Sequence, residues 1–148
     1  MKENNLLVPQ KRYKAKREPG RNKPKPDRLN QWWGIDMTKF MVEGVGWIYL
    51  TVVLDWYSRK IVGYHIGIQS QSKHWLEALN MAVNNQCSMG SQTEKINLMS
   101  DNGSQPTSKR FMKECAILGI NQAFTSYNNP KGNANTERMM RTIKEELI

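Results

Sequence analysis

The sequence predicts an α/β domain built on a mixed five-stranded sheet, three antiparallel strands followed by two parallel ones, with helices on its faces. Residues 33–68 hold three runs of aromatic and β-branched residues joined by short polar links, the pattern of an antiparallel meander. After residue 70, segments with apolar residues every three or four positions alternate with short apolar runs, the pattern of strands linked by crossover helices. At 148 residues the chain can bury one full core and is short for two domains.

The first 30 residues carry ten Lys/Arg against three acids, and four of the six prolines. With little to bury and many missing N–H donors, they are expected to form an extended basic arm that sustains neither helix nor sheet ladders. Such an arm attracts phosphates by counterion release and follows a nucleic-acid backbone without reading bases. A solvated linker is the alternative. Lys11, Arg12, Lys14, Lys16 and Arg17 are its candidate DNA contacts.

At Gln31 the composition turns aromatic and β-branched, which places the domain over residues 31–148. Trp33 to Phe40 alternates with period two, and Gly44-Val-Gly46 supplies a turn. Trp47 to Leu54 is almost wholly apolar, as a strand buried on both faces would be, and Lys60 to Ile68 follows the polar break Tyr57-Ser-Arg59. From Ser72, Trp75, Leu79 and Ala82 recur at helical spacing toward Gly90, and Ile96 to Met99 is a short strand. Phe111, Cys115 and Leu118 mark a second helix that Gly119 ends. A strand over Asn121–Thr125 and a loop at Tyr127–Gly132 lead to a last helix, Asn133–Ile148, with Met139, Met140, Ile143 and Leu147 as its apolar stripe.

Composition narrows the function classes. Two cysteines, Cys87 and Cys115, can make neither a disulfide scaffold nor a four-thiolate zinc site; they read as core thiols in a reduced setting. Trp47 to Leu54 is far short of the roughly 20 residues of a membrane span. The basic N-terminus lacks the apolar stretch of a secretory signal, so a cytoplasmic, nucleoid-associated protein without membrane contact is expected. His65 and His74 have no partner at metal-ligand spacing and are assigned to packing or surface. The five tryptophans read mainly as core, although adjacent Trp32 and Trp33 cannot both face inward from one strand.

The acids are the informative residues. Asp36 falls inside the first strand, on the face opposite Ile35 and Met37, where a carboxylate needs a cation or strong donors. Asp101 follows the fourth strand directly, at the edge where open sheets gather ligands. If the first and fourth strands are neighbours, the two carboxylates converge. Glu137 stands on the last helix, with Asn133 four residues before it and Arg141 and Lys144 four and seven after, all on one face. Three converging carboxylates with no His or Cys suit Mg2+ or Mn2+ rather than Zn2+, and the cations beside them would meet phosphates. Taken singly, Asp101-Asn-Gly103 also reads as a turn, and Glu137 with Arg141 as a helix pair. Asp55, at the end of the second strand, reads as a turn cap.

Four segments carry a resemblance: Trp33-Gly-Ile-Asp-Met-Thr38, Val53-Leu-Asp-Trp-Tyr-Ser-Arg-Lys-Ile-Val-Gly63, Ser100-Asp-Asn-Gly-Ser-Gln105 and Gly132-Asn-Ala-Asn-Thr-Glu-Arg138. In this order they resemble the catalytic core of retroviral-integrase-like DDE transposases, most closely the second-frame transposases of the insertion-sequence family numbered three. The 35 residues between Asp101 and Glu137 match the spacing of that family. Pro106 departs from the aromatic residue many relatives carry there.

The resemblance implies a ribonuclease H-like fold, Asp36, Asp101 and Glu137 as catalytic metal ligands, and two Mg2+ or Mn2+ ions. It also implies DNA strand cleavage and strand transfer at insertion-sequence ends, with DNA as partner and self-association into a dimer or higher assembly. Arg141, Lys144, Asn133 and Lys131 are the expected DNA contacts in the core. Met1-Lys-Glu-Asn-Asn-Leu-Leu-Val8 resembles an internal stretch of longer relatives, and relatives continue past the Glu137 helix, so a core truncated at its C-terminus is expected. A catalytically silent DNA-binding remnant and a ribonuclease H-like nuclease on RNA–DNA hybrids are the alternatives.

Overall fold

Trp33 and Ile35 are fully buried on one face of a strand whose other face carries Trp32, Gly34 and Asp36. This is the period-two division of a central strand. The computed structural model describes residues 16–17, 25–87, 90, 94–125 and 133–147. In chain order the elements are β1 (Lys16–Arg17), β2 (Trp32–Val42), β3 (Gly46–Asp55), β4 (Ile61–Gly67), α1 (Ser72–Gln86), β5 (Asn97–Ser100), α2 (Lys109–Leu118), β6 (Asn121–Phe124) and α3 (Ala134–Leu147).

The sheet order is β1-β6-β5-β2-β3-β4. β2, β3 and β4 form the antiparallel meander, and β5 and β6 join parallel to β2 through α1 and α2. The five expected strands and three expected helices are therefore present in the expected order. β1 is an addition to them. Lys16 and Arg17 pair in parallel with Ala123 and Phe124 of β6, a ladder in a segment expected to sustain none. Neither residue is a proline, so both can pair, and their pairing covers what would otherwise be an open edge.

Two apolar layers flank the sheet. On one face Trp33, Ile35, Val53 and Leu98 pack against Trp75, Leu79 and Ala82 of α1 and Phe111 and Cys115 of α2. Trp75 and Phe111 meet edge to face with centroids 6.3 Å apart, and full burial of each such ring contributes roughly 2–3 kcal/mol. On the other face Leu50, Val52 and Leu54 pack beneath Met139, Met140 and Ile143 of α3. β3 is buried on both faces only from Leu50 onward, because its first half projects past the helices with Trp47 in solvent under the Lys39 ammonium, 4.7 Å from the ring centroid.

Helix ends follow local chemistry. Ser108 caps α2 by accepting the Phe111 N–H at 3.1 Å, and Gly119 ends it with φ 74°, the left-handed conformation glycine adopts without steric cost. α1 stops at Gln86, short of Gly90, where the Asn85 side chain leaves the helix pattern to donate to the Val62 carbonyl at 3.1 Å. Both cysteines are buried, as expected of core thiols, and burial raises their proton affinity above the ordinary thiol range.

Candidate active site

The parallel ladder pairs Trp32, Trp33 and Gly34 of β2 with Asn97, Leu98 and Met99 of β5. Asp36 lies two residues past Gly34, and Asp101 follows the last residue of β5. Asp36, inside β2 and paired with Val52 of β3, therefore lies level with Asp101 just past the C-terminal end of β5, the edge at which open sheets collect ligands. Glu137 stands in the first turn of α3, which packs on the Asp36 side of the sheet. The three acids that the resemblance implies as ligands thus stand on three separate elements around one end of the sheet.

The charges of the three acids act on one another. The Asp36 carboxyl is pushed up to about 6, first by burial and then by the charges of Asp101 and Glu137, against a lowering hydrogen bond from its own neighbour, Met37 N–H, at 2.8 Å. Glu137 is raised as well, by burial and by Asp101, with Arg141 pulling it down. Asp101 Oδ1 accepts the Gly103 N–H at 2.9 Å, which closes the turn that starts the loop to α2. None of the three acids has an ion pair with another described residue, and the charge of Arg141 favours the ionised form of Glu137. The carboxylates sense one another through space. As they stand, no three acidic, His or Cys groups among the described residues are close enough to grip a single ion.

The floor of the site is polar and buried. Trp56 Nε1–H donates to Thr136 Oγ1 at 3.0 Å, and Asn133 Nδ2 donates to the Ile35 carbonyl at 3.4 Å. The bonds tie the start of α3 to β2 beside Asp36 and to the turn that follows β3. Asn133 Oδ1 is buried with no hydrogen-bond partner. Gly34 makes this approach possible, since a Cβ there would overlap Thr136 Oγ1 and lie 2.5 Å from Trp56 Nε1 and 2.8 Å from Asn133 Oδ1. Sequence spacing did not single out Gly34, Trp56 or Thr136. Their only signal was position: each lies within two residues of an acid in the quoted segments.

Asn133 requires a correction. It is expected among the DNA contacts, on one face with Glu137, Arg141 and Lys144, yet it is 2% exposed and bonded to Ile35, because α3 enters the fold directly against β2. It supports the site from below and does not reach a phosphate at the surface. Arg141 and Lys144 are exposed on α3, as expected. Lys11, Arg12, Lys14 and Lys131 lie outside the described residues, as do the side chains of Lys16 and Arg17.

The residues set apart from the site behave as expected. Asp55 is buried and accepts Asn30 N–H at 3.1 Å, Ser58 N–H at 2.9 Å and Ser58 Oγ–H at 2.7 Å, the bonds of a turn cap. His65 and His74 stack at 4.7 Å, with His65 Nε2 2.9 Å from Glu77 Oε1 and His74 Nδ1 accepting the Gln71 N–H. Pro106 is buried, and its carbonyl accepts from Gln122 Nε2 at 3.0 Å. Trp32 and Trp33 divide between the two faces, Trp33 in the α1 core and Trp32 stacked on Trp56 at 5.6 Å. No helix among the described residues is long and apolar enough to cross a membrane.

Comparison with known proteins agrees with this geometry. Residues 26–130 match the family model described as the integrase core domain, a range that includes Asp36 and Asp101 and stops short of Glu137. The chain is 30% identical over 147 residues to the transposase for insertion sequence element IS904 of Lactococcus lactis, covering 93% of this chain and 56% of that protein. It is 30% identical over 126 residues to the putative transposase for IS986/IS6110 of Mycobacterium tuberculosis, covering 84% and 44%. The chain thus spans about half the length of these relatives. Among solved structures, a simian T-cell lymphotropic virus intasome superposes with a TM-score of 0.72 at 20% identity, over 89% of this chain and 44% of that one. The HTLV-2 integrase catalytic core in complex with magnesium gives 0.60 at 19% identity, over 79% and 69%. The fold is therefore the ribonuclease H-like fold of retroviral integrase catalytic cores, and with most of its length matched by the family model, the chain belongs to the integrase core domain family.

Proposed function

We propose that this chain is the catalytic core of a DDE transposase that cuts DNA strands at insertion-sequence ends and joins the freed 3′-OH to a new phosphodiester. One observation carries this reading: Asp36 on β2, Asp101 directly after the neighbouring parallel strand and Glu137 on the facing helix stand near enough for their charges to act on one another, with none of the three in an ion pair among the described residues. The insertion-sequence family numbered three remains the reading of its four motifs.

The donor set fits a hard divalent cation. It is all carboxylate; burial and the charges of neighbouring acids raise Asp36 and Glu137, and a cation among them would offset the repulsion. Asp36, Asp101 and Glu137 would be the ligands. Two Mg2+ or Mn2+ ions held there would activate the attacking oxygen and stabilise the leaving one during in-line phosphoryl displacement. Asp36 must release its proton to serve, and its own Met37 N–H helps it do so. Arg141, exposed beside Glu137, and Lys144 one turn on would hold the DNA backbone, with Lys131 and the basic arm (Lys11, Arg12, Lys14, Lys16, Arg17) extending the track. Self-association on DNA and a cytoplasmic, nucleoid-associated location belong to the same reading.

The test is strand cleavage of a labelled end-containing duplex in Mg2+ or Mn2+. Asp36→Ala, Asp101→Ala and Glu137→Ala should each lose cleavage while salt-sensitive DNA binding persists. Cleavage by Asp101→Ala would refute the site. Metal-independent DNA binding with no cleavage by the unaltered chain would favour the silent remnant, and preference for RNA–DNA hybrids the nuclease.

A further inference from the structure

We infer that Trp56 and Thr136 are positioning residues for the acidic site: the indole N–H of Trp56, held from the strand side, grips Thr136 Oγ1 and thereby fixes Glu137 beside the two aspartates. The inference rests on the reading of Asp36, Asp101 and Glu137 as metal ligands and names the machinery that holds the third of them in place.

Glu137 is the only one of the three acids not on or directly after a strand of the sheet. Asp36 is fixed by the β2 ladder, and Asp101 by the end of β5 and its turn. Glu137 projects from the exposed side of α3, so its place depends on how the first turn of that helix seats. Thr136, its immediate neighbour, is fully buried, and Oγ1 meets Trp56 Nε1 at 3.0 Å. One turn earlier, Asn133 reaches the Ile35 carbonyl. Both contacts converge above Gly34, two residues before Asp36.

Trp56 is itself held on several sides. Its backbone N–H donates to the Trp32 carbonyl at 3.0 Å, and its ring stacks on Trp32 with an interplanar angle of 11°. The preceding residue, Asp55, is clamped by Asn30 and by both the N–H and hydroxyl of Ser58. The Asp55-Trp-Tyr-Ser58 turn contributes no ligand to the acidic site, yet it builds a rigid bracket whose outward end is the Trp56 N–H. That gives a role to the one quoted segment that the three acids leave unexplained.

Three variants separate this from simple packing. Thr136→Val keeps shape and removes the acceptor, Thr136→Ser keeps the acceptor, and Trp56→Phe keeps the stack on Trp32 and removes the donor. Mn2+ binding is read by calorimetry on the full chain, with Glu137→Gln as the reference for loss of the third acid. Thr136→Val and Trp56→Phe are expected to weaken Mn2+ about tenfold or to the level of Glu137→Gln, while Thr136→Ser binds like the unaltered chain. The double variant Trp56→Phe/Thr136→Val should be no weaker than either single one, because both break one bond. Thr136→Val binding like the unaltered chain, or Thr136→Ser failing alongside it, overturns the inference.

A metal-free measurement keeps the two readings apart. The Trp56 indole proton, followed by NMR hydrogen exchange, should exchange slowly in the unaltered chain and in Thr136→Ser, and at least about tenfold faster in Thr136→Val. Fast exchange in the unaltered chain overturns the bracket whatever the acids bind. Slow exchange with Mn2+ binding indifferent to Glu137→Gln shows a bracket that positions no ligand, and so sinks both the acid-site reading and the inference.

Discussion

Gly34 stands beside Met99 in the parallel ladder between β2 and β5, so Asp36 and Asp101, each two residues further along, stand level with one another, Asp36 still in the β2–β3 ladder and Asp101 just past β5. Their closeness has a cost. Asp36 is caught between burial and two like charges, and only the Met37 N–H favours its ionised form.

That cost predicts a pH-dependent stability. The Asp36 carboxyl is raised from 3.8 to about 6, so between these values the folded chain holds a proton that the unfolded chain has released. Stability contributed by the neutral form is present at low pH and lost as pH rises through this window. Asp36→Asn removes the charge, and in metal-free buffer at pH 7.5 it should be more stable than the unaltered chain by roughly 1–2 kcal/mol. The gap should close near pH 3.5. Urea denaturation at both pH values measures it, and equal stabilities at pH 7.5 would contradict the assignment.

The same proton competes with metal. With Asp36 half-protonated near pH 6, Mn2+ affinity should fall about tenfold between pH 7.5 and pH 5. Asp101→Ala should bind weakly at both. Calorimetric titration at the two pH values is the check, and an affinity indifferent to pH would remove Asp36 from the ligand set.

Asp55 and Asp101 should respond oppositely to removal. Asp55→Ala leaves Asn30 N–H and the Ser58 donors without their buried acceptor and should cost about 2–4 kcal/mol. Asp101 is exposed, and Asp101→Ala should change stability by less than about 1 kcal/mol while abolishing cleavage. Thermal melts of the two proteins side by side would expose a reversal.

Two glycines offer a parallel contrast. An alanine at Gly34 would overlap Thr136 Oγ1, and one at Gly63 would overlap the Ala78 carbonyl on the opposite face of the sheet. Both Gly34→Ala and Gly63→Ala should lose about 2–3 kcal/mol or more by overpacking. Only Gly34→Ala should also weaken Mn2+ binding, because only Gly34 lies under α3. Equal metal affinity in the two variants would show that the seating of α3 does not govern the site.

Trp33, Ile35 and the run Leu50 to Leu54 announced their strands because alternation and apolar runs are local consequences of a two-residue period. Ser108 and Gly119 bounded α2 through cap chemistry that acts within one turn. The β1 ladder was not legible, since two basic residues among prolines have no pattern of their own and pair only because β6 presents an edge. Asn133 was misplaced for a related reason. Helical spacing puts it on the Glu137 face, but the first residues of α3 run into the sheet, so the same face is buried at one end and exposed at the other.

By itself the sequence determined the order of elements and the core faces, because periodicity, caps and residue chemistry are properties of neighbouring positions. Tertiary structure alone decided that Gly34 pairs with Met99, that Trp56 meets Thr136 across 80 residues, and that Asp36 resists losing its proton. Register, contact between distant segments and burial arise only when the chain closes on itself, and the electrostatics of the site follow from them.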